Sequence, residues 1–131
     1  MAHLGQEETA GLAFGGSSTT VLSNTEEYDG SSWTASGVLN TARGDLAGAG
    51  TQTAGLAFGG NTTAVSSSNE EYNGTSWTES NSMNTARKYL AGAGIQTSAL
   101  AFGGLITANT NVTEEYDGTN WRTSPATLAT T

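Results

Sequence analysis

This sequence predicts an all-β fold built from three copies of one four-strand unit, and three observations predict it. Gly contributes 18 of the 131 residues and charged residues only 12%. That composition suits many short strands with glycine-rich turns, and not long helices, which draw on Ala, Glu, Lys and Leu. The segment GLAFGG at Gly11–Gly16 returns as GLAFGG at Gly55–Gly60 and as ALAFGG at Ala99–Gly104. EEYDG at Glu26–Gly30 returns as EEYNG at Glu70–Gly74 and as EEYDG at Glu114–Gly118, followed in turn by Trp33, Trp77 and Trp121. Each landmark steps by 44 residues, and no insertion or deletion breaks the register between Ala10 and Ser124.

Within the unit, Leu46–Thr53 and Ala54–Gly60 read as an antiparallel pair closed by a double glycine. The equivalent glycines are Gly15-Gly16, Gly59-Gly60 and Gly103-Gly104. Ala and Gly in these first strands suit a region where backbones approach closely. A polar loop follows, and it is where the copies differ most: Ser17 to Thr25, Asn61 to Asn69 and Leu105 to Thr113. The third strand ends in Glu-Glu-Tyr. Asp-Gly or Asn-Gly then supplies the φ > 0 geometry of a tight turn. The fourth strand surrounds Trp. Each unit thus presents one Phe, one Tyr and one Trp: Phe14, Tyr28, Trp33; Phe58, Tyr72, Trp77; Phe102, Tyr116, Trp121. These large side chains fill the space that small first strands leave between sheets. NTAR at Asn40–Arg43 and at Asn84–Arg87 closes the first two copies.

A strand ending in Gly-Gly, then Tyr-Asp, then Trp a few residues on resembles the kelch repeat, and the resemblance covers the whole chain. The wording is also similar, more weakly, to kelch-like arrays of marine phage and bacterial proteins. The resemblance implies a β-propeller segment spanning 1–131, with one four-stranded blade per repeat at 1–44, 45–88 and 89–131. At 44 residues the unit is shorter than the roughly 50 usual for kelch, so its loops are tight. Propellers close with about four to eight blades, and three would leave two apolar faces open. The expectation is a ring closed by homo-oligomerisation: six blades as a dimer, which the usual range favours, or nine as a trimer.

The remaining features exclude more than they assign. A net charge of −8, from 12 acidic and 4 basic residues, repels phosphate backbones, so nucleic acid is not an expected partner. No apolar run is long enough to span a membrane, and MAHLGQEETAG has neither a basic leader nor an apolar core, so no signal peptide is expected. Cys is absent, which removes disulfides and thiolate ligands. The sole histidine, His3, reads as a surface residue, because acid–base chemistry needs an oriented partner. Galactose-oxidase-type copper chemistry, known on kelch propellers, needs a Cys–Tyr cross-link and His ligands, and that route is closed here. No catalytic, cofactor or metal residue is expected.

Adjacent residues of a strand face opposite ways, so the paired glutamates Glu26-Glu27, Glu70-Glu71 and Glu114-Glu115 do not converge. They read as solvated strand faces, with one Glu of each pair placed to bond to a neighbouring blade. Arg43 and Arg87 read as structural, their five-donor forks tying strand ends or pairing with a repeat Glu, whereas Arg122 aligns with Thr34 and Thr78. The 44-residue register puts Thr131 in the place of the third Arg, which predicts a weaker junction between chains. Ligand contacts are expected from the variable loops, at Ser17, Ser18, Asn61, Thr62, Leu105 and Ile106. Tyr89 is the one aromatic residue outside the motif, and the Asn-x-Ser/Thr triplets at Asn61, Asn73 and Asn111 are chance matches in so polar a chain.

The function expected is a non-enzymatic, self-assembling scaffold or recognition module that binds protein or glycan through its loops. The alternative is a fragment of a longer propeller without activity of its own. A virion or cell-surface setting follows only by analogy with the acidic, Cys-free composition.

Overall fold

In the computed structural model the backbone of residues 2–7 and the whole of residues 10–130 are described; the side chains of residues 3–7 are not, so the role assigned to His3 lies outside the described residues. Twelve strands run in chain order. The first repeat holds β1 (Ala2–Glu7), β2 (Ala10–Phe14), β3 (Thr25–Tyr28) and β4 (Trp33–Ala35). The second holds β5 (Ala47–Gly50), β6 (Gly55–Phe58), β7 (Asn69–Tyr72) and β8 (Trp77–Ser80), and the third β9 (Ala91–Ile95), β10 (Ser98–Phe102), β11 (Thr113–Tyr116) and β12 (Trp121–Thr123). Each repeat forms its own antiparallel four-stranded sheet with strands in sequence order. The fold among the described residues is all-β.

Between the second and third strands the registers repeat from sheet to sheet: Glu26, Glu70 and Glu114 pair with Ala13, Ala57 and Ala101. On the first strands Phe58 and Phe102 pair with the equivalent Ala47 and Ala91, whereas Phe14 pairs with Ala2, one residue before the equivalent position. The first strand of the second repeat stops at Gly50 rather than Thr53, because Thr51 and Ala54 exchange backbone hydrogen bonds across a tight turn. Asp29, Asn73 and Asp117 open the later turns, each accepting two N–H groups through a side-chain oxygen. Those N–H donors hold the Asp29 and Asp117 carboxyls below their ordinary range.

Burial shows how the sheets stack. In β2 only Leu12 and Phe14 are buried, in β10 only Ala99 and Ala101, but all four residues of β6 are. Alternation is the mark of a sheet covered on one face; continuous burial marks one covered on both. The second sheet is therefore the filling. Leu12, Phe14 and Leu39 meet Leu46, Ala57, Tyr72 and Trp77 on one side of it, and Leu56, Phe58 and Met83 meet Leu90, Tyr116 and Trp121 on the other. The first strands β1, β5 and β9 lie next to one another along one edge of the stack.

The third repeat departs from the register at its end. Ser36 and Ser124 donate to equivalent carbonyls, those of Thr25 and Thr113. Further on, Leu39 N–H reaches Ser23 O and Met83 N–H reaches Ser67 O, each at 2.9 Å. The carbonyl of Asn111 in the same place is reached at 2.9 Å by Leu128, not by Thr127. One residue is inserted across Pro125–Thr127, beside a proline that offers no N–H and fixes its own φ. Counting on from Leu128, the place of Arg87 falls one residue past Thr131. Thr131, to which the 44-residue register assigns that place, lies outside the described residues.

Candidate functional site

The most elaborate chemistry in the molecule lies at the junctions between repeats. Arg43, at the end of the first repeat, is fully buried inside the second. Its Nη1 donates to Gly59 O at 3.1 Å and Ser68 O at 2.6 Å, and its Nη2 to Ala57 O at 3.2 Å and Glu70 Oε2 at 3.0 Å. Arg87 repeats the pattern on Gly103 O, Val112 O, Ala101 O and Glu114 Oε2. A planar fork suits such a set of acceptors better than a point charge. Burial pushes both guanidinium pKa values down, and the facing carboxylates oppose the shift.

The glutamates complete the tie. Glu70 accepts from Asn40 N–H at 2.7 Å, Asn40 Nδ2 at 3.0 Å and Thr41 N–H at 3.3 Å as well as from Arg43. Glu114 accepts from Asn84 N–H at 2.6 Å, Thr85 N–H at 3.2 Å and Arg87. Both glutamates are fully buried: these positions are not solvated, and one Glu of each of these two pairs is bonded to a neighbouring repeat, as expected. Three or more donors converge on each carboxylate, offsetting the loss of water. The second glutamate of the first two pairs also serves a junction: Tyr72 donates to Glu27 and Tyr116 to Glu71.

Burial first, and the adjacent carboxylate second, push the Tyr72 and Tyr116 hydroxyls up to about 12 from 10.0. The neutral phenols are the form the fold favours, so this contribution is intact below pH 10 and is lost between about pH 10 and 12. Phenolate absorbance during an alkaline titration should show Tyr72 and Tyr116 ionising late, as assigned by Tyr→Phe variants, with stability to urea falling across the same window. Ionisation of both near pH 10 would contradict it.

Sequence reasoning missed a third tie. Gln52 Nε2 donates to Gly11 O at 2.9 Å and Tyr28 O at 2.8 Å, and Gln96 does the same to Gly55 O and Tyr72 O. The recurrence of Gln-Thr at Gln52 and Gln96 was the available signal. The aromatic contacts recur too: Phe14 to Trp77 at 5.0 Å and Phe58 to Trp121 at 5.2 Å between ring centroids. Trp77 Nε1 donates to Thr25 Oγ1 at 2.9 Å. Asn69 stands in the place of Thr25 at the next junction, and there both Asn69 Oδ1 and Trp121 Nε1 are left without a partner.

The double glycines sit where the Arg segment returns. All six have φ between 63° and 100°, and Gly60 is so close to the preceding repeat that a Cβ would come within 2.5 Å of Gly44 O. The loop residues are less alike than their alignment implies. Ser17 and Ser18 are exposed, whereas Asn61 and Thr62 are half-buried. Asn61 and Leu105 are bridged through their backbones to Gly44 and Lys88. Ser17 lines a cleft of about 270 Å³ with Asp45 and Leu46. Leu105 lines one of about 260 Å³ with Tyr89, Gly104 and Leu128, and Ile106 is 38% exposed. Tyr89 is exposed, with Lys88 Nζ 5.1 Å from its ring centroid. Among the described residues, no three His, Asp or Glu side chains gather as a metal site would require.

The two outer sheets present faces that the internal junctions cover. On the leading face of the first repeat Trp33 is 50% exposed, against 5% for Trp77 and 6% for Trp121. On the trailing face of the third, Phe102 is half-buried and Leu100 exposed, whereas Phe14, Phe58, Leu12 and Leu56 are fully buried. Glu115 on that face pairs with the exposed Arg122 at 2.7 Å, which holds its carboxyl below the usual range. A cleft of about 450 Å³ opens there between Ala99, Tyr116 and Arg122. No protein-family model matches the chain, and a search of curated proteins gives no match.

Proposed function

We propose that the chain is a non-enzymatic β-propeller segment, kelch-like in its repeat, that works as an assembling scaffold and recognition module. The observation that carries this reading is the complementarity of its two ends. Trp33 lacks the phenylalanine that covers Trp77 and Trp121, and Phe102 lacks the tryptophan that covers Phe14 and Phe58. A ring in which the trailing face of one chain meets the leading face of another would bury both by the contacts already made twice inside the chain. Two copies would give six blades and three would give nine.

The titratable side chains support a scaffold rather than a catalyst. Glu70 and Glu114 are spent on arginines, and Glu27 and Glu71 on tyrosines. In this reading the loops carry recognition of a protein or glycan, with Ser17, Ser18 and Ile106 as their exposed residues. Native mass spectrometry of the 13.3 kDa chain should give a closed species of two or three copies. A stable monomer at high concentration would overturn ring closure.

A further inference from the structure

We infer that the leading face of the first repeat is a socket for the strand end of a further repeat carrying Thr-x-Arg. This deepens the assembly reading and rests on it. At both internal junctions the arginine fork meets one carboxylate and three backbone carbonyls. Stepping back 44 residues from the second repeat, the same acceptors on the first are the Glu26 carboxylate and the carbonyls of Ala13, Gly15 and Asn24. Their frame is the same: Glu26 pairs with Ala13 as Glu70 pairs with Ala57, and Gly15 N–H holds Asn24 O as Gly59 N–H holds Ser68 O.

The socket lacks its key. Glu26 is half-buried, and among the described residues no hydrogen bond reaches its carboxylate. The chain has four basic residues, and each is engaged elsewhere: Arg43 on Glu70, Arg87 on Glu114, Arg122 on Glu115, and Lys88 over Tyr89. A carboxylate that no described hydrogen bond reaches, beside three carbonyls that each have a second lone pair to offer, calls for a group rich in N–H, and their spacing calls for a planar fork. Covering this face with an apolar surface alone would bury Glu26 uncompensated, which is strongly unfavourable.

The third repeat shows how the key is presented. Leu128 takes the place of Leu39 and Met83, and Thr130 that of Thr41 and Thr85, so the arginine position comes one residue after Thr131. In keeping with this, Gly15 and Gly59 lie within 2.9 Å, measured from a built Cβ, of the carbonyls of Arg43 and Arg87, whereas Gly103 meets only Leu128 at 3.3 Å and Thr110 O at 3.9 Å. The cleft beside Gly104 and Leu128 occupies that neighbourhood.

The test extends the full chain by one residue after Thr131, with Arg, Lys or Ala, each also in a Glu26→Gln background, and measures self-association by sedimentation equilibrium. The Arg extension should tighten association roughly tenfold or more over Ala, as expected for completing a buried ion pair. Lys should recover a minor part of the gain, and Glu26→Gln should abolish it. Equal dissociation constants for the Arg and Ala extensions, or a gain that survives Glu26→Gln, would overturn the socket and leave ring closure by copies standing. Absence of association in every variant would overturn both. Circular dichroism of each variant separates these outcomes from loss of folding.

Discussion

Replacing Arg43 with leucine should destabilise the chain by about 3–5 kcal/mol, because it leaves Glu70 buried and charged with its principal partner gone. That is a large share of the roughly 5–15 kcal/mol typical of a folded domain. The loss arises less from the missing attraction than from what remains behind: a carboxylate with no exposed surface. Removing both partners, as Arg43→Leu with Glu70→Leu, should therefore recover much of it. Arg122→Leu is the control. Its guanidinium is 73% exposed, and an exposed pair is worth at most about 1 kcal/mol. Urea denaturation of the four proteins measures all of these terms. If Arg43→Leu costs no more than Arg122→Leu, the junction arginines are not structural ties.

Trp77→Ala should cost about 3–5 kcal/mol, the usual range for emptying a large aromatic site in a core. The indole packs on Phe14 and Tyr72 and donates to Thr25, so truncation also leaves the Thr25 hydroxyl, 1% exposed, without its partner. Trp33→Ala, in the same place on the first repeat, should cost roughly half as much, about 1.5–2.5 kcal/mol, in the isolated chain, since the half of that ring already in water contributes no burial. The pair separates residue type from position, and denaturation followed by circular dichroism reads both. In an assembled ring the cost at Trp33 should rise toward that at Trp77. Equal costs in the isolated chain would show that the leading face is covered from within.

Much of this architecture was legible in the sequence because the repeat is in register. Twelve strands, the turn positions and the packing triads of Phe, Tyr and Trp follow from residues 44 apart. The glutamate pairs were harder. Strand alternation shows that Glu70 and Glu71 face opposite ways, but not that each face meets another repeat. Glu70 is buried because the chain returns with Asn40, Thr41 and Arg43 from a different sheet. That is information about stacking, and no single strand carries it. Gln52 and Gln96 escaped notice for a related reason: polar residues in a turn ordinarily face water, and only the neighbouring sheet turns them inward. The inserted residue near Pro125 was invisible because the landmark residues end at Trp121, leaving nothing downstream to mark the slip.

The crowding of the first strands sets where such a protein is free to change over generations. A Cβ added to Gly92 would come 2.4 Å from Phe58 Cζ and 2.8 Å from Gly48 O, so that position tolerates no side chain without moving a packed ring and a backbone. The restriction is not shared by every copy, since by the 44-residue register the same place in the first repeat carries Leu4. The loop at Ser17, Ser18 and their exposed neighbours bears no such restriction. A duplicate of the third repeat would therefore inherit one inner-edge position closed to larger side chains, together with an outer loop segment open to rewriting.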